Sequence, residues 1–226
     1  MSNVFVAQFK DTVHNFYKTN AELLNRMEEN RKRFSAEYVE KENAKVTEQA
    51  AQTYETAKAS INNTFNMVKE LLAVASFPDV ERLTADRLFF SSDDCFDLSH
   101  EEVASFIQRY RTNYTMLKLI SAWITKHNEE SSEAPYGKYA GIKVVLPSDM
   151  LPVYKKFAES ALSLINTIYF NNGVNKNMID SYADENFAKE LYEIIGSGLE
   201  LSEYRTKQVP EMVRHQFDDV VLSGAE

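Results

Sequence analysis

The sequence predicts an all-α chain, and three observations carry that prediction. Residues 1–77 contain neither glycine nor proline and place apolar side chains three and four positions apart. The later apolar stretches keep the same period. Only one short segment, Ile142-Lys143-Val144-Val145-Leu146, has the β-branched composition of a strand, so the fold admits at most one short β pairing.

Residues 1–77 form the first element, a long helical arm. Phe5, Phe9, Val13, Phe16, Leu23, Met27, Phe34, Tyr38, Val46, Ala50, Tyr54, Ala57, Ile61, Phe65, Val68 and Leu72 fall on one stripe with charged residues between them. As a single rod the arm would run to roughly 105 Å, more than twice the ~45 Å expected of a compact globule of this size. An antiparallel hairpin is therefore favoured. Large apolar residues thin out over residues 40–45, which places the turn there, with Asn43 in the part that glycine usually plays after a helix cap. Phe34 and Tyr38 would then pack on Ala50 and Ala51, and Phe5 and Phe9 on Val68, Leu71 and Leu72.

Phe77-Pro78 ends the arm, because a proline pushes the preceding residue out of the helical region. The remainder, residues 78–226, reads as a multi-helix acidic domain. A short helix over residues 79–88 leads to Leu88-Phe89-Phe90, the one internal partner for a strand at 142–146, and then to a polar loop. Ser99 with Glu102 forms a capping box that opens a helix over residues 100–127. The second half of that helix, with Met116, Leu119 and Trp123 beside Leu117, Ile120 and Ile124, is apolar nearly all round, which buries Trp123. A helix over residues 149–170 carries Pro152 in its first turn, and Asn171-Asn172-Gly173 stops it. Residues 174–195 continue in helical pattern to Gly196-Ser197-Gly198, and a last helix starts at Pro210.

The arm holds ten Lys/Arg and ten Asp/Glu, so the net charge of -9 belongs to the other fifteen Lys/Arg and twenty-four Asp/Glu in residues 78–226. Such a balance opposes direct binding of nucleic acid, which needs clustered cations to replace condensed counterions. Arg31-Lys32-Arg33 is the one basic cluster, and with Glu28 and Glu29 alongside it reads as a solvated helix face. No apolar run approaches the ~20 residues of a membrane span, and with a single cysteine, Cys95, the expected setting is a reducing cytoplasm without a membrane.

Chemistry-bearing patterns are sparse. His14, His100, His127 and His215 fall in no metal-ligand spacing, and no glycine precedes Gly137, which leaves no phosphate-binding loop. Asp93, Asp94, Cys95, Asp97, His100, Glu101 and Glu102 supply ligand types without the glycine and spacing of a calcium loop. No cofactor, metal or catalytic residue is expected.

These features point to a non-enzymatic assembly or adaptor protein that binds protein partners or further copies of itself. Twelve tyrosines and fourteen phenylalanines suit that role, since aromatic side chains anchor interfaces. The expected contacts are Phe9, Phe16 and Tyr17 on the arm, with Tyr136, Tyr139, Ile142, Val144 and Tyr204 beyond it. A first alternative is an acidic inhibitor that imitates nucleic acid or fills a basic groove, as some virus-encoded antagonists do, with Glu129, Glu130 and Glu133 as its acidic surface. A second is a helical enzyme whose site is assembled from residues far apart in sequence.

Overall fold

A computed structural model describes residues 4–79, 85–92, 97–131, 137–171, 179 and 209–224. Among these residues the chain is all-α, with seven helices and no strand: α1 Val4–Arg33, α2 Ala36–Ala75, α3 Ala85–Ser91, α4 His100–Arg109, α5 Tyr114–Glu130, α6 Pro147–Asn171 and α7 Glu211–Arg214. Two compact units share them. The first takes Met1–Val68, Val153–Glu190 and Asp218–Glu226, and the second takes Lys69–Pro152 and Leu191–Phe217. This partition does not follow a boundary at residue 77, because most of α6 joins the N-terminal helices.

In the first unit α1 and α2 form the antiparallel hairpin. Interhelical hydrogen bonds pair Thr12 with Ser60 (3.2 Å), Arg26 with Gln49 (3.2 Å) and Asn30 with Asn43 (3.0 Å), one number rising as the other falls. The turn lies at Phe34 and Ser35, earlier than the 40–45 region that the thinning of apolar residues suggested. Helix α1 closes with Phe34 N–H donating to Asn30 O, and α2 opens with Val39 N–H donating to Ser35 O. A serine in that position suits a helix start better than a helix interior. Asn43, expected to end a helix, instead pairs its amide across the hairpin.

Phe5, Phe9, Val13, Phe16 and Asn20 form the buried face of α1, at spacings of four, four, three and four. In the same unit Tyr54, Ala57, Ile61, Phe65 and Val68 of α2 are buried, as are Tyr154, Phe157, Ala158, Ala161, Leu162, Ile165 and Ile168 of α6, and Phe16 packs on Tyr54 at 6.3 Å. Phe5 packs edge-on to Tyr154 at 6.4 Å, and Asn20 donates to Ile168 O at 3.5 Å, so α6 runs parallel to α1. Tyr54 closes this layer by stacking on Tyr169 (4.4 Å) and donating its hydroxyl to Asn166 Oδ1 (2.6 Å). Farther along the chain, Ser223 donates from N–H (3.2 Å) and Oγ (2.7 Å) to Glu159 Oε1, which fixes the buried Leu222 on the same unit.

The second unit is organised on α5. Phe90, Val103, Met116, Leu117, Ile120, Trp123, Ile124, Tyr139 and Val144 form its core, with Phe89, Leu98, Phe106, Ile142 and Leu146 packed against them. Trp123 is buried as its surroundings in the sequence require. The single helix expected over residues 100–127 is two helices, because Asn113 N-caps α5 by accepting from Met116 N–H (2.9 Å), while Asp79 accepts from Tyr114 N–H (2.8 Å). Two acceptors thus satisfy α5's first amides and start a new helix where periodicity alone would continue the old one.

Residues 142–146 form no strand among the described residues, and Leu88, Phe89 and Phe90, the one internal strand partner, lie in α3. The segment is held instead by burying Val144 and Val145. Helix α6 begins at Pro147, two residues before the expected start, where Asp149 reaches back to accept from Leu146 N–H (2.9 Å). The helix expected from Pro210 is only four residues long and is followed by turns; Arg214 of α7 pairs with Glu70 at 2.6 Å. The helix expected over residues 174–195 lies outside the described residues, apart from the buried Ile179.

Candidate functional site

The tip of the hairpin follows from the early turn. Asn20 of α1 bonds to Ile168 O of α6, and α6 ends three residues beyond Ile168. At 1.5 Å per residue, α1 continues about 15 Å past the end of α6. Along that overhang the two helices hold each other with polar bridges, Arg26 to Gln49 and Asn30 to Asn43, and with Val46, which is fully buried. Leu23, Leu24, Met27 and Val39 are only half-buried there.

Residues 31–38 are all exposed. Within them Phe34 and Tyr38 rest ring against ring at 4.7 Å, yet 45% and 47% of their surfaces remain accessible. Both residues belong to the stripe that reads as core in the sequence. Had the turn come at 40–45, they would have faced the returning helix. With the turn between them, they project from the end instead. Arg33 makes one loose pair with Glu29 (3.6 Å, both well exposed), whereas Arg31 and Lys32 make no ion pair among the described residues. The tip is thus a paired aromatic knob flanked by cations on the α1 side and by Glu37 and Glu40 on the α2 side.

The residues expected to contact partners are distributed otherwise. Phe9 and Phe16 are 0% and 2% exposed, so the arm positions assigned to a partner are core positions, covered by the chain's own α2 and α6. Tyr17 is half-buried beside them. Tyr139 is also a correction, being fully buried although it lies in a loop. Its hydroxyl accepts from Leu98 N–H (3.2 Å) and donates to Leu98 O (2.8 Å), and its own N–H donates to Asn128 Oδ1 (2.7 Å). Gly137 makes this docking possible: its φ is 79°, and a Cβ there would stand 2.6 Å from Asn128 Cα. Val144 is buried in the same core, and Ile142 is half-buried against it. Tyr136 and Tyr204 lie outside the described residues, as does Glu133; Glu129 and Glu130 are exposed at the end of α5.

The second unit also holds a dense aromatic group. Trp123 has the rings of Phe90 (5.7 Å), Tyr139 (4.9 Å) and His127 (4.0 Å) around it, and His127 Nδ1 donates to Trp123 O at 2.9 Å. Trp123 Nε1 is buried without an acceptor among the described residues. Beside the group, the hydrogen bond and charge of Lys138, 2.9 Å away, hold the Asp97 carboxyl below its usual range. Trp123 and Tyr139 of this group are buried and belong to the core of the second unit.

Of the acid-rich stretch near Cys95, Asp93, Asp94 and Cys95 fall outside the described residues. Glu102 serves the capping box, where the Ser99 N–H and then the Ser99 hydroxyl lower its pKa. Among the described residues no three His, Cys, Asp or Glu side chains group as metal ligands, and no helix is long and apolar enough to cross a membrane. An open groove on the hairpin, lined by Gln8, Asn15, Ala59 and Asn63 among others, has the Thr12–Ser60 bridge within its lining and carries no catalytic constellation. No family model, curated protein or solved structure matches the chain.

Proposed function

We propose that this chain is a non-enzymatic assembly or adaptor protein and that it engages a protein partner through the tip of the α1–α2 hairpin. The observation that carries this reading is the Phe34–Tyr38 pair. Two large rings are held together in the open, on the part of the hairpin that α6 does not reach. Pre-paired aromatics at a protruding end suit the anchor role that dominates interface energetics, because little side-chain freedom remains to be lost on docking. The partner is another protein or another copy of this chain, and the setting expected for it is cytoplasmic.

The test compares the intact chain with the Phe34→Ala/Tyr38→Ala variant. Partners are captured from a native extract, and the affinity of the purified partner, or the chain's own self-association by light scattering, is then measured for both forms. The reading expects at least a roughly tenfold weaker complex with a melting temperature lowered by no more than about 4 °C. Equal affinity of the two forms would move the contact elsewhere.

One observation favours a second reading, the acidic inhibitor. Glu129 and Glu130 are exposed and make no ion pair among the described residues. Other acids are locally matched, Asp97 by Lys138, Asp86 by Arg109 and Glu70 by Arg214. Salt dependence separates the two readings. Exposed charges are screened over ~8 Å at physiological ionic strength and ~3 Å at 1 M, so an acidic mimic loses affinity steeply with salt while an aromatic anchor changes little.

A further inference from the structure

The basic cluster Arg31-Lys32-Arg33 lies immediately before Phe34-Ser35, and the structure gives that adjacency a use. We infer that Ser35 is a phosphorylation site for an ATP-dependent serine kinase that selects substrates with cations upstream of the acceptor. Arg31, Lys32 and Arg33 stand four, three and two residues before the serine. Protein kinases discriminate among substrates by such charge patterns.

Three structural observations support the assignment. Ser35 sits in the two-residue interval between α1 and α2, and every residue from 31 to 38 is exposed, so the segment can open without uncovering any core. Its hydroxyl has no hydrogen-bond partner among the described residues, whereas those of Thr12, Thr47, Thr53, Thr56 and Thr64 each donate to the carbonyl four residues back. The upstream cations are also free to be read, since Arg33 alone is paired, loosely and in solvent.

Thr112 provides the internal contrast. It too is exposed between helices, with Arg109 three residues before it, but Arg109 is engaged by Asp86 at 3.1 Å and Arg111 has a partner of its own.

In the transfer, Ser35 Oγ attacks the γ-phosphorus of ATP. The new O–P bond forms as the bond to the β-phosphate oxygen breaks, the hydroxyl proton passes to the kinase's carboxylate base, and ADP leaves. The product carries about -1.5 to -2 charges at neutral pH. It would lie at the start of α2, whose first amides lack intrahelical partners, with Arg31, Lys32 and Arg33 on one side and Glu37 opposing it on the other. Phosphorylation would therefore offset about half or more of the +3 charge carried by Arg31, Lys32 and Arg33 beside the Phe34–Tyr38 knob. That consequence for partner choice rests on the reading of the tip as the contact.

The test uses the full chain, magnesium-ATP and the purified catalytic subunit of the cyclic-AMP-dependent protein kinase as probe, with the site mapped by tandem mass spectrometry. The expected result is phosphate on Ser35, no incorporation there in Ser35→Ala, and labelling slowed at least about tenfold in Lys32→Ala/Arg33→Ala. In the phosphorylated chain, amide exchange of residues 36–39 should also slow, a change that labelling of an unfolded fraction would not produce. Failure to label chain that circular dichroism shows to be folded, labelling at Thr112 in place of Ser35, or indifference to the double variant would overturn the inference. The labelling is read on the isolated chain, so its failure leaves the partner reading standing, and failure of that reading leaves the labelling result standing.

Discussion

Between Phe5 and Asn20, α1 turns four large apolar side chains and an asparagine into a core that α2 and α6 close on the remaining sides. Between Leu23 and Arg33 the same helix is bridged to α2 through Arg26 and Asn30, and its apolar side chains stay half in solvent. Sequence periodicity is nearly the same in both stretches. What differs is the third helix, and with it the job of the polar residues. In the proximal half Asn20 ties α1 to α6, while in the distal half Asn30 and Asn43 tie the hairpin to itself and fix its register, as a buried asparagine does in a coiled coil. An amphipathic stripe therefore states that a face is available for packing, and the neighbouring elements decide whether it is packed.

The largest expected effect is at Phe9. Replacing it with alanine should cost about 3 to 5 kcal/mol in denaturant unfolding, since it is fully enclosed in the proximal core. A loss below about 1 kcal/mol would remove the distinction between the halves. Asn30→Ala should cost less, about 1 kcal/mol, because it leaves the Asn43 amide without its partner in a part-buried position. The effect should appear as faster exchange of distal amides before any change in proximal ones. Smaller still is the Phe34→Ala/Tyr38→Ala variant, expected to shift stability by no more than roughly 0.5 kcal/mol per residue, because both rings are about half exposed.

The last expected effect depends on pH. Burial by itself raises the Glu159 pKa, but the Ser223 hydroxyl and N–H bonds outweigh it, so the folded-state value lies below the ordinary one. A depressed folded pKa gives stability that is complete above the unfolded value of ~4.3 and is lost as pH falls through the folded value. Residues 220–224 should therefore loosen only as pH falls below ~4.3, readable as protease sensitivity to an acid protease, with Glu159→Gln reproducing the change at neutral pH. In the distal half, the Lys45 hydrogen bond lowers the Glu42 pKa in the same direction, but this pair is exposed and its contribution should vanish with added salt.

Much of this architecture was legible in the residues. The 3.6-residue stripe predicts both long helices, the Ser99–Glu102 capping box predicts the start of α4, and the all-round apolar pattern predicts the burial of Trp123. The turn was not legible, because the helices break at Phe34-Ser35 without glycine or proline, through a serine that suits a helix start. Nor was the fate of Tyr139, a loop residue whose burial depends on contacts with Leu98 and Asn128, forty-one and eleven positions away. The candidate contact at the tip was missed for the same reason as the turn. Phe34 and Tyr38 carry the spacing of core residues, and only the position of the bend turns them outward.

Native-state amide hydrogen exchange along the hairpin tests the comparison most directly. The account predicts that amides of residues 5–20 and 54–68 exchange only through global unfolding, and that those of residues 23–50 exchange through local opening, with protection lower by at least roughly 100-fold, or about 2.8 kcal/mol. Uniform protection from Phe5 to Val68 would mean that the distal half is as firmly held as the core, and would contradict the division of the hairpin into a packed base and an open tip.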